Sequence, residues 1–180
     1  MNKVVAIVGM CGSGKSIASD KLVEMGYDKV YFGGVTMDKL KEKGLEVTPE
    51  NEKLMREKLR EDLGMGAFAK ILLPRIKELA ENNNVVLDGL YSWDEYKILK
   101  EELEGNIIVI SIVCDKNIRY SRLKKREIRP LTKKEAINRD IAEIENVAKA
   151  PPIAYADYYI LNNGTMEEYE TRLSEILKKI

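Results

Sequence analysis

Apolar residues gather into five short runs: Val4–Val8, Lys29–Phe32, Val85–Asp88, Ile107–Val113 and Tyr158–Leu161. Four of them are continuous apolar or β-branched stretches, the pattern of strands buried on both faces of a parallel sheet. Lys29–Phe32 has the least apolar character of the five. Between the runs the sequence turns helix-forming, with explicit start signals. Ser92 with Glu95, Thr132 with Glu135 and Thr165 with Glu168 have capping-box spacing, in which the two side chains satisfy amides left open at a helix start. Thr48 before Pro49 predicts a further start, because proline at the first helical position gives up no hydrogen bond. Ile17–Met25 reads as a helix after the first strand, and another begins at Lys116. Pro49 to Asn82 is helix-forming throughout, broken near Gly64 and Gly66, and Asn82-Asn83-Asn84 stops it.

Strands alternating with helices predict a layered α/β sandwich with right-handed crossovers, in a single domain over residues 1–180. Two excursions are too long for a simple crossover, residues 33–82 and residues 126–152. Insertions of that length in a compact domain usually serve as lids or substrate loops.

Composition narrows the chemistry. No apolar run approaches the roughly 20 residues of a membrane span. The N-terminus passes directly into Val4–Val8 without a secretory cleavage site, so a cytoplasmic protein without membrane contact is expected. Lys and Arg number 30 and Asp and Glu number 30, a balance that argues against a general nucleic-acid binder. Histidine is absent, which removes the commonest general base and the commonest transition-metal ligand together. Cys11 and Cys114 have no metal-ligand spacing, and a disulfide would be unusual in the cytosol. Chemistry must then run on carboxylates, cations and bound Mg²⁺. Nothing in the sequence requires more than a monomer.

Gly9-Met10-Cys11-Gly12-Ser13-Gly14-Lys15-Ser16 satisfies G-x-x-x-x-G-K-[ST]. Glycines let successive amides curl around phosphates, and the following helix adds its partial positive charge. Lys15 would reach the β and γ phosphates, and the Ser16 hydroxyl would hold Mg²⁺. Gly9, Cys11, Gly12, Ser13, Gly14 and Ile17 complete the expected nucleotide cradle, with a buried strand before it and a helical pattern after it. Cys11 is either a thiol activated at a helix N-terminus or a small filler in a variable slot of the loop.

Asp88 stands at the C-terminal end of a buried strand, the edge where ligands bind in open α/β sheets. There it could orient the Mg²⁺ water shell or begin a turn with Gly89. Arg119, Arg122 and Arg126 recur at i, i+3 and i+7 on the helix from Lys116, and Arg129 and Arg139 follow. Guanidinium groups neutralise charge on a transferred phosphoryl group, although such a run can also be a solvated face. Its place after the fourth strand, entering the second excursion, favours a lid for Arg122 and Arg126.

The phosphate loop, the strand end Val85-Val86-Leu87-Asp88-Gly89 and the Arg122–Arg126 run together resemble the nucleoside monophosphate kinases. Adenylate kinase-related and dephospho-CoA-kinase-like proteins are the most similar. The resemblance covers nearly the whole chain, including Ala156 to Thr165 near its end. It implies a P-loop three-layer sandwich with a five-stranded parallel sheet in the order 2-3-1-4-5. It also implies an acceptor-binding helical insertion over 33–82 and a lid over 126–152. Under it, Arg122 stacks on adenine, Arg126 contacts the transferred phosphate, Arg139 is the lid's returning arginine, and Asn163 and Gly164 touch the base. Thr36-Met37-Asp38-Lys39-Leu40-Lys41 is similar to the acceptor-site T-G-D-x-L-R, which makes Thr36, Asp38 and Lys41 acceptor residues. Where adenylate kinases place an arginine after the strand-end Asp-Gly, this chain has Leu90-Tyr91-Ser92. Tyr91 then faces the acceptor, with Arg60 or Arg56 compensating. The D-x-D of dephospho-CoA kinases is missing after the second strand.

The expected activity is therefore ATP·Mg²⁺-dependent phosphoryl transfer to a small molecule, foremost a nucleoside monophosphate. A hydroxyl acceptor of the dephospho-CoA kind, with Asp38 or Asp88 as base, is the alternative within the same class. A nucleotide-binding regulatory ATPase acting on a protein partner is the alternative outside it.

Overall fold

The computed structural model describes residues 2–180. Its centre is a five-stranded, all-parallel sheet in the order β2-β3-β1-β4-β5, formed by β1 (Val4–Val8), β2 (Asp28–Tyr31), β3 (Val85–Asp88), β4 (Ile107–Val113) and β5 (Tyr158–Leu161). Every side chain of β1 is buried, as expected of a central strand covered on both faces. Alternate β1 residues serve two cores. Val4, Ala6 and Val8 face one layer with Leu40, Met55, Leu59, Ile76 and Leu99. Val5 and Ile7 face the other, with Ala18, Leu22, Tyr169 and Leu173.

The helices around the sheet are α1 (Lys15–Glu24), α2 (Gly34–Glu42), α3 (Pro49–Leu63), α4 (Ala67–Asn82), α5 (Trp93–Glu102), α6 (Lys116–Lys124), α7 (Lys133–Glu145), α8 (Ala150–Ala154) and α9 (Met166–Leu177). The first layer is built from α2 to α5 and the second from α1 and α9. The Ser92, Thr132 and Thr165 capping boxes all form, and Thr48 caps α3 ahead of its proline. Among the described residues no helix is long and apolar enough to cross a membrane.

Several expectations shift. The second strand lies one residue earlier, at 28–31, because pairing with β3 runs from Asp28↔Val85 to Tyr31↔Asp88. Phe32 follows it as a buried core residue whose N–H donates to the Asp88 carbonyl. The fifth strand is an edge strand in which only Ile160 is fully buried, since one of its flanks has no partner. The phosphate-loop helix starts at Lys15 and ends at Glu24, ahead of the expected 17–25. Helix α6 stops at Lys124, so Arg126 leaves the face it was expected to share with Arg119 and Arg122. Helix α2 was not read from the sequence, where Gly33-Gly34 lowers helical propensity. Nor was α8, whose Pro151 and Pro152 fall in its first turn, the one place where proline is tolerated.

Parallel register brings the C-terminal ends of β1, β3 and β4 to one edge, with Ile7 beside both Asp88 and Ile110. The phosphate loop leaves β1 at that edge. The 89–92 turn, α6 and the 162–165 turn emerge around it.

Candidate active site

The loop between β1 and α1 is shaped by its glycines. Gly12 has φ 81° and Gly14 φ 99°, a region that costs other residues roughly 1–2 kcal/mol. Space forbids substitution as well. A Cβ on Gly12 would lie 2.9 Å from the Arg119 carbonyl, and one on Gly14 would strike the Asn162 amide. Asn162, itself buried, donates to the Ser13 carbonyl at 2.8 Å, and the Tyr169 hydroxyl donates to the Gly14 carbonyl at 3.0 Å. The loop is thus held from outside by side chains that take up its carbonyls.

Lys15 folds back over the loop, its Nζ donating to the Met10 carbonyl at 3.1 Å. Burial pushes its ammonium down to about 8, and the neighbouring Lys149 adds to that depression. Ser13 Oγ is buried without a hydrogen-bond partner. A cradle closed to a Cβ at Gly12 and Gly14, an orphaned hydroxyl and a cation disfavoured by burial all fit a phosphate chain. Ser16 stands exposed in the first turn of α1, placed as a hydroxyl ligand for Mg²⁺ would be. Cys11 is a buried packing residue with Tyr120, Leu123 and Ala136.

Arg119 serves this loop from beneath. Its guanidinium pairs bidentately with Asp140 at 2.6 and 3.0 Å and donates to the Cys11 carbonyl at 2.9 Å. Tyr120 donates to the same carboxylate at 3.0 Å. Arg119 therefore ties α6 to α7 and both to the loop backbone. Arg122 reaches the other way, donating at 3.3 Å to Asn162 Oδ1 and to Cys114 Sγ. Asn163 Oδ1 accepts from the Asp115 amide at 2.8 Å, and Gly164 packs beside Glu168. Arg122, Asn163 and Gly164 thus share one side of the loop.

Asp88 is buried at the β3 terminus. Its Oδ2 accepts from Ser19 at 3.1 Å and pairs with Lys29 at 3.0 Å. Lys29 also contacts Asp20 and Ser19. The sequence reading passed over Lys29, a cation two residues into an unremarkable edge strand.

The acceptor side is divided. Tyr91 is packed against Gly89, its phenol pushed up chiefly by burial. Arg60 lies over the Phe68 ring at 5.2 Å with its Nε buried and unpartnered. Burial lowers its pKa, and the nearby Glu95 and Tyr91 oppose that fall. Thr36 is buried with an unpartnered hydroxyl, but Asp38 and Lys41 lie exposed on α2, their side chains making no hydrogen bond or ion pair among the described residues. Arg56 turns to Glu52 at 3.4 Å. Glu95 is fully buried, and burial pushes its carboxyl up to about 7 against the pull of the Tyr91 and Ser92 amides. Trp93 stacks on Tyr96 with ring centroids 5.0 Å apart and borders a cleft of about 580 Å³ with Tyr155 and Lys100. That cleft lies between α5 and α8, on the flank of the layer.

In the second excursion the residues separate. Arg126 is exposed and makes no hydrogen bond or ion pair among the described residues. Arg129 crosses to α3 and pairs with Glu52 at 2.6 Å. Arg139 and Lys149 converge on Glu143, at 3.2 and 2.6 Å. Burial opposes ionisation of Glu143, but the two cations hold its carboxyl below the usual range. Lys149 and Glu143 carried no motif. Their meeting depends on the chain turning back after α7, which no local spacing announces.

A family profile for an AAA domain matches residues 5–145. The UPF0200 protein of Thermococcus onnurineus is 34% identical over 181 residues, which cover 98% of this chain and 97% of the relative. Among solved structures, TT1252 from Thermus thermophilus superposes with a TM-score of 0.65 at 19% identity, covering 99% of this chain and 98% of the other. Shikimate kinase from Bacteroides thetaiotaomicron gives a TM-score of 0.62 at 13% identity, with 98% and 97% covered. At those identities the structural likeness establishes a P-loop kinase-like fold, in agreement with the fold expected from the sequence.

Proposed function

The chain belongs to the UPF0200 family and carries an AAA domain, and on that premise we propose that it transfers a phosphoryl group from ATP to a small acceptor, foremost a nucleoside monophosphate. The observation that carries this reading is the phosphate loop with Lys15 folded inward and cations of α7 and its following turn gathered beside it. A phosphate loop alone fits switches, motors and kinases alike. A buried Lys149 beside Lys15, with the half-exposed Arg139 on the same carboxylate, suits the charge that builds on a transferred phosphoryl group.

The residues divide the work. The amides from Gly9 to Ser16 hold the β phosphate, and Lys15 bridges toward the γ phosphate. An arriving anion offsets the burial that depresses Lys15, so the group stays protonated. Ser16 would hold Mg²⁺, with Asp88 ordering its waters. The ion, when bound, neutralises charge between the phosphates. Arg122 with Asn163 and Gly164 forms the base side. Arg126 and Arg139 are lid residues, and Thr36, Arg60 and Tyr91 line the acceptor, with Asp38 and Lys41 at its outer rim. A phosphate-bearing acceptor is already anionic, so no general base is needed and catalysis consists of positioning and charge neutralisation. If the acceptor is a hydroxyl, Asp88 or Asp38 is the candidate base.

The test is phosphorylated product measured by mass across nucleoside monophosphates and hydroxyl acceptors with ATP and Mg²⁺. Product from a monophosphate supports the proposal, and Lys15→Met should abolish it. ATP hydrolysis that appears only with a protein partner, with no acceptor phosphorylated, would sink it in favour of a regulatory ATPase.

A further inference from the structure

Lys149 is 2% exposed, an unusual place for an ammonium group. Its burial is built rather than incidental. Ala148 has φ 48°, a left-handed conformation of the kind that costs about 1–3 kcal/mol in a non-glycine residue. Its carbonyl accepts from the Trp93 amide, and the Lys149 amide donates to the Glu143 carbonyl at 3.1 Å. That strained turn, pinned from α5 and from α7, directs the Lys149 side chain inward. The ammonium lies 5.0 Å from the centre of the Tyr91 ring and close enough to Lys15 to disfavour that group's charge.

The charge count around this point does not balance. Lys15, Lys149 and Arg139 bring three cations, and Glu143 is the one carboxylate paired with two of them. Asp88, also near Lys15, is already engaged by Lys29. Of these cations Lys149 is buried and Arg139 half-exposed, so the charge that most needs a further anion is the Lys149 ammonium beside Lys15 of the phosphate loop. A carboxylate gripped by a lysine and an arginine resembles in charge and geometry a phosphate oxygen edge gripped by the same groups.

We propose that Lys149 contacts the terminal phosphate of a bound nucleoside triphosphate, and that Glu143 is its positioning residue, an internal anion holding Lys149 and Arg139 where that phosphate arrives. The proposal rests on the reading of a triphosphate in the phosphate loop, and it adds a second lysine to the one the motif supplies. On binding, Lys149 exchanges part of its pairing with Glu143 for the phosphate, which also relieves its repulsion with Lys15.

The experiment is equilibrium binding of ATP and of ADP, measured calorimetrically on the full chain. Lys149→Met should weaken ATP about tenfold, the equivalent of about 1.4 kcal/mol, and leave ADP within about twofold. Lys149→Arg should restore most of the ATP affinity. Glu143→Gln releases Lys149 and Arg139 from the place where the phosphate arrives and should lower the ATP preference over ADP by about threefold or more; a carboxylate that is only structural would not alter that ratio. Because Lys149→Met leaves Glu143 short of a partner, the double variant Lys149→Met/Glu143→Gln provides a charge-balanced form, and it too should lose the ATP preference. Equal weakening of ATP and ADP in Lys149→Met, or a full ATP preference in the double variant, overturns the assignment of Lys149. An unchanged ratio in Glu143→Gln overturns the role of Glu143. Wild-type protein that shows this Lys149-dependent ATP preference yet phosphorylates no acceptor would defeat the kinase reading and leave this one standing.

Discussion

Replacing Glu95 with glutamine removes a charge from the interior while keeping the helix cap that the residue builds. Glu95 is fully buried, accepts from the amides of Tyr91 and Ser92 at 2.8 and 3.1 Å, and leaves Oε1 without a partner. Glutamine is an equal member of the capping box, so its carbonyl can take over both amide contacts. What changes is the ionisation. Burial raises the carboxyl from 4.5 to about 7, so the folded protein binds this proton more tightly than the unfolded chain does. Ionising the group therefore costs stability, from zero at low pH, growing as pH rises from 4.5 toward 7, and complete above 7. The attraction of Arg60 is already contained in that value. A rise of this size corresponds to about 3 kcal/mol at full ionisation. Glu95→Gln should gain about 3 kcal/mol relative to wild type between about pH 4.5 and about pH 8. For a chain of this size that is a relative Tm gain of roughly 6–12 °C. Urea or thermal unfolding of both proteins at the two pH values measures it, and differencing cancels every other titrating group. A difference that stays the same at both pH values would refute the reasoning, because it would mean the carboxylate ionises in the fold without cost.

Two further substitutions test the supports of the site. Asp140→Asn leaves the buried Arg119 guanidinium without its counter-charge; breaking such a pair costs about 3–5 kcal/mol, and nucleotide affinity should fall with it because Arg119 also carries the Cys11 carbonyl of the loop. Wild-type stability in this variant, read by denaturant midpoint, would show that the pair does not anchor the loop. Lys29→Met frees Asp88 Oδ2 from a half-exposed cation. The Mg²⁺ concentration that half-saturates ATP binding should fall by up to about fivefold, the scale of an exposed pair near 1 kcal/mol. An unchanged or higher midpoint in titration calorimetry would exclude competition between Lys29 and the ion.

The fold was legible because its signals are local. Val4–Val8 and Ile107–Val113 are apolar without interruption, which only a strand covered on both faces requires, and the serine and threonine caps fix helix starts within three residues of chain. The phosphate loop was legible for the same reason, its glycines and Lys15 being contiguous. Legibility ends where a residue's meaning comes from a distant partner. Arg119 was visible as one of a run of arginines, but its task depends on Asp140, 21 residues away. The end of α6 before Arg126 carries no glycine or proline to mark it. Lys149 sits in an Ala-Lys-Ala-Pro stretch that looks like surface loop, and nothing in it predicts a buried ammonium.

Buried side-chain atoms left without partners show how this chain distributes strain. Among the described residues they are Ser13 Oγ, Thr36 Oγ1, Arg60 Nε, Glu95 Oε1 and Ser111 Oγ. Each such atom costs about 1–3 kcal/mol if nothing satisfies it, so a sequence under pressure for stability alone would replace them. Ser13 belongs to the phosphate loop. Thr36 and Arg60 stand on α2 and α3, the two helices that the β2–β3 connection needs for nothing else, since α4 already makes the crossover. Glu95 lies close enough to Arg60 to oppose its loss of charge. Three of the five are therefore found in the donor loop and in the insertion, a fourth is on α5 close to the insertion's Arg60, and Arg129 joins that insertion to the second excursion through Glu52. A structural role explains a buried polar atom only when its partner is inside the protein. Here the missing partners are two-sided, a donor on Arg60 and an acceptor on Glu95.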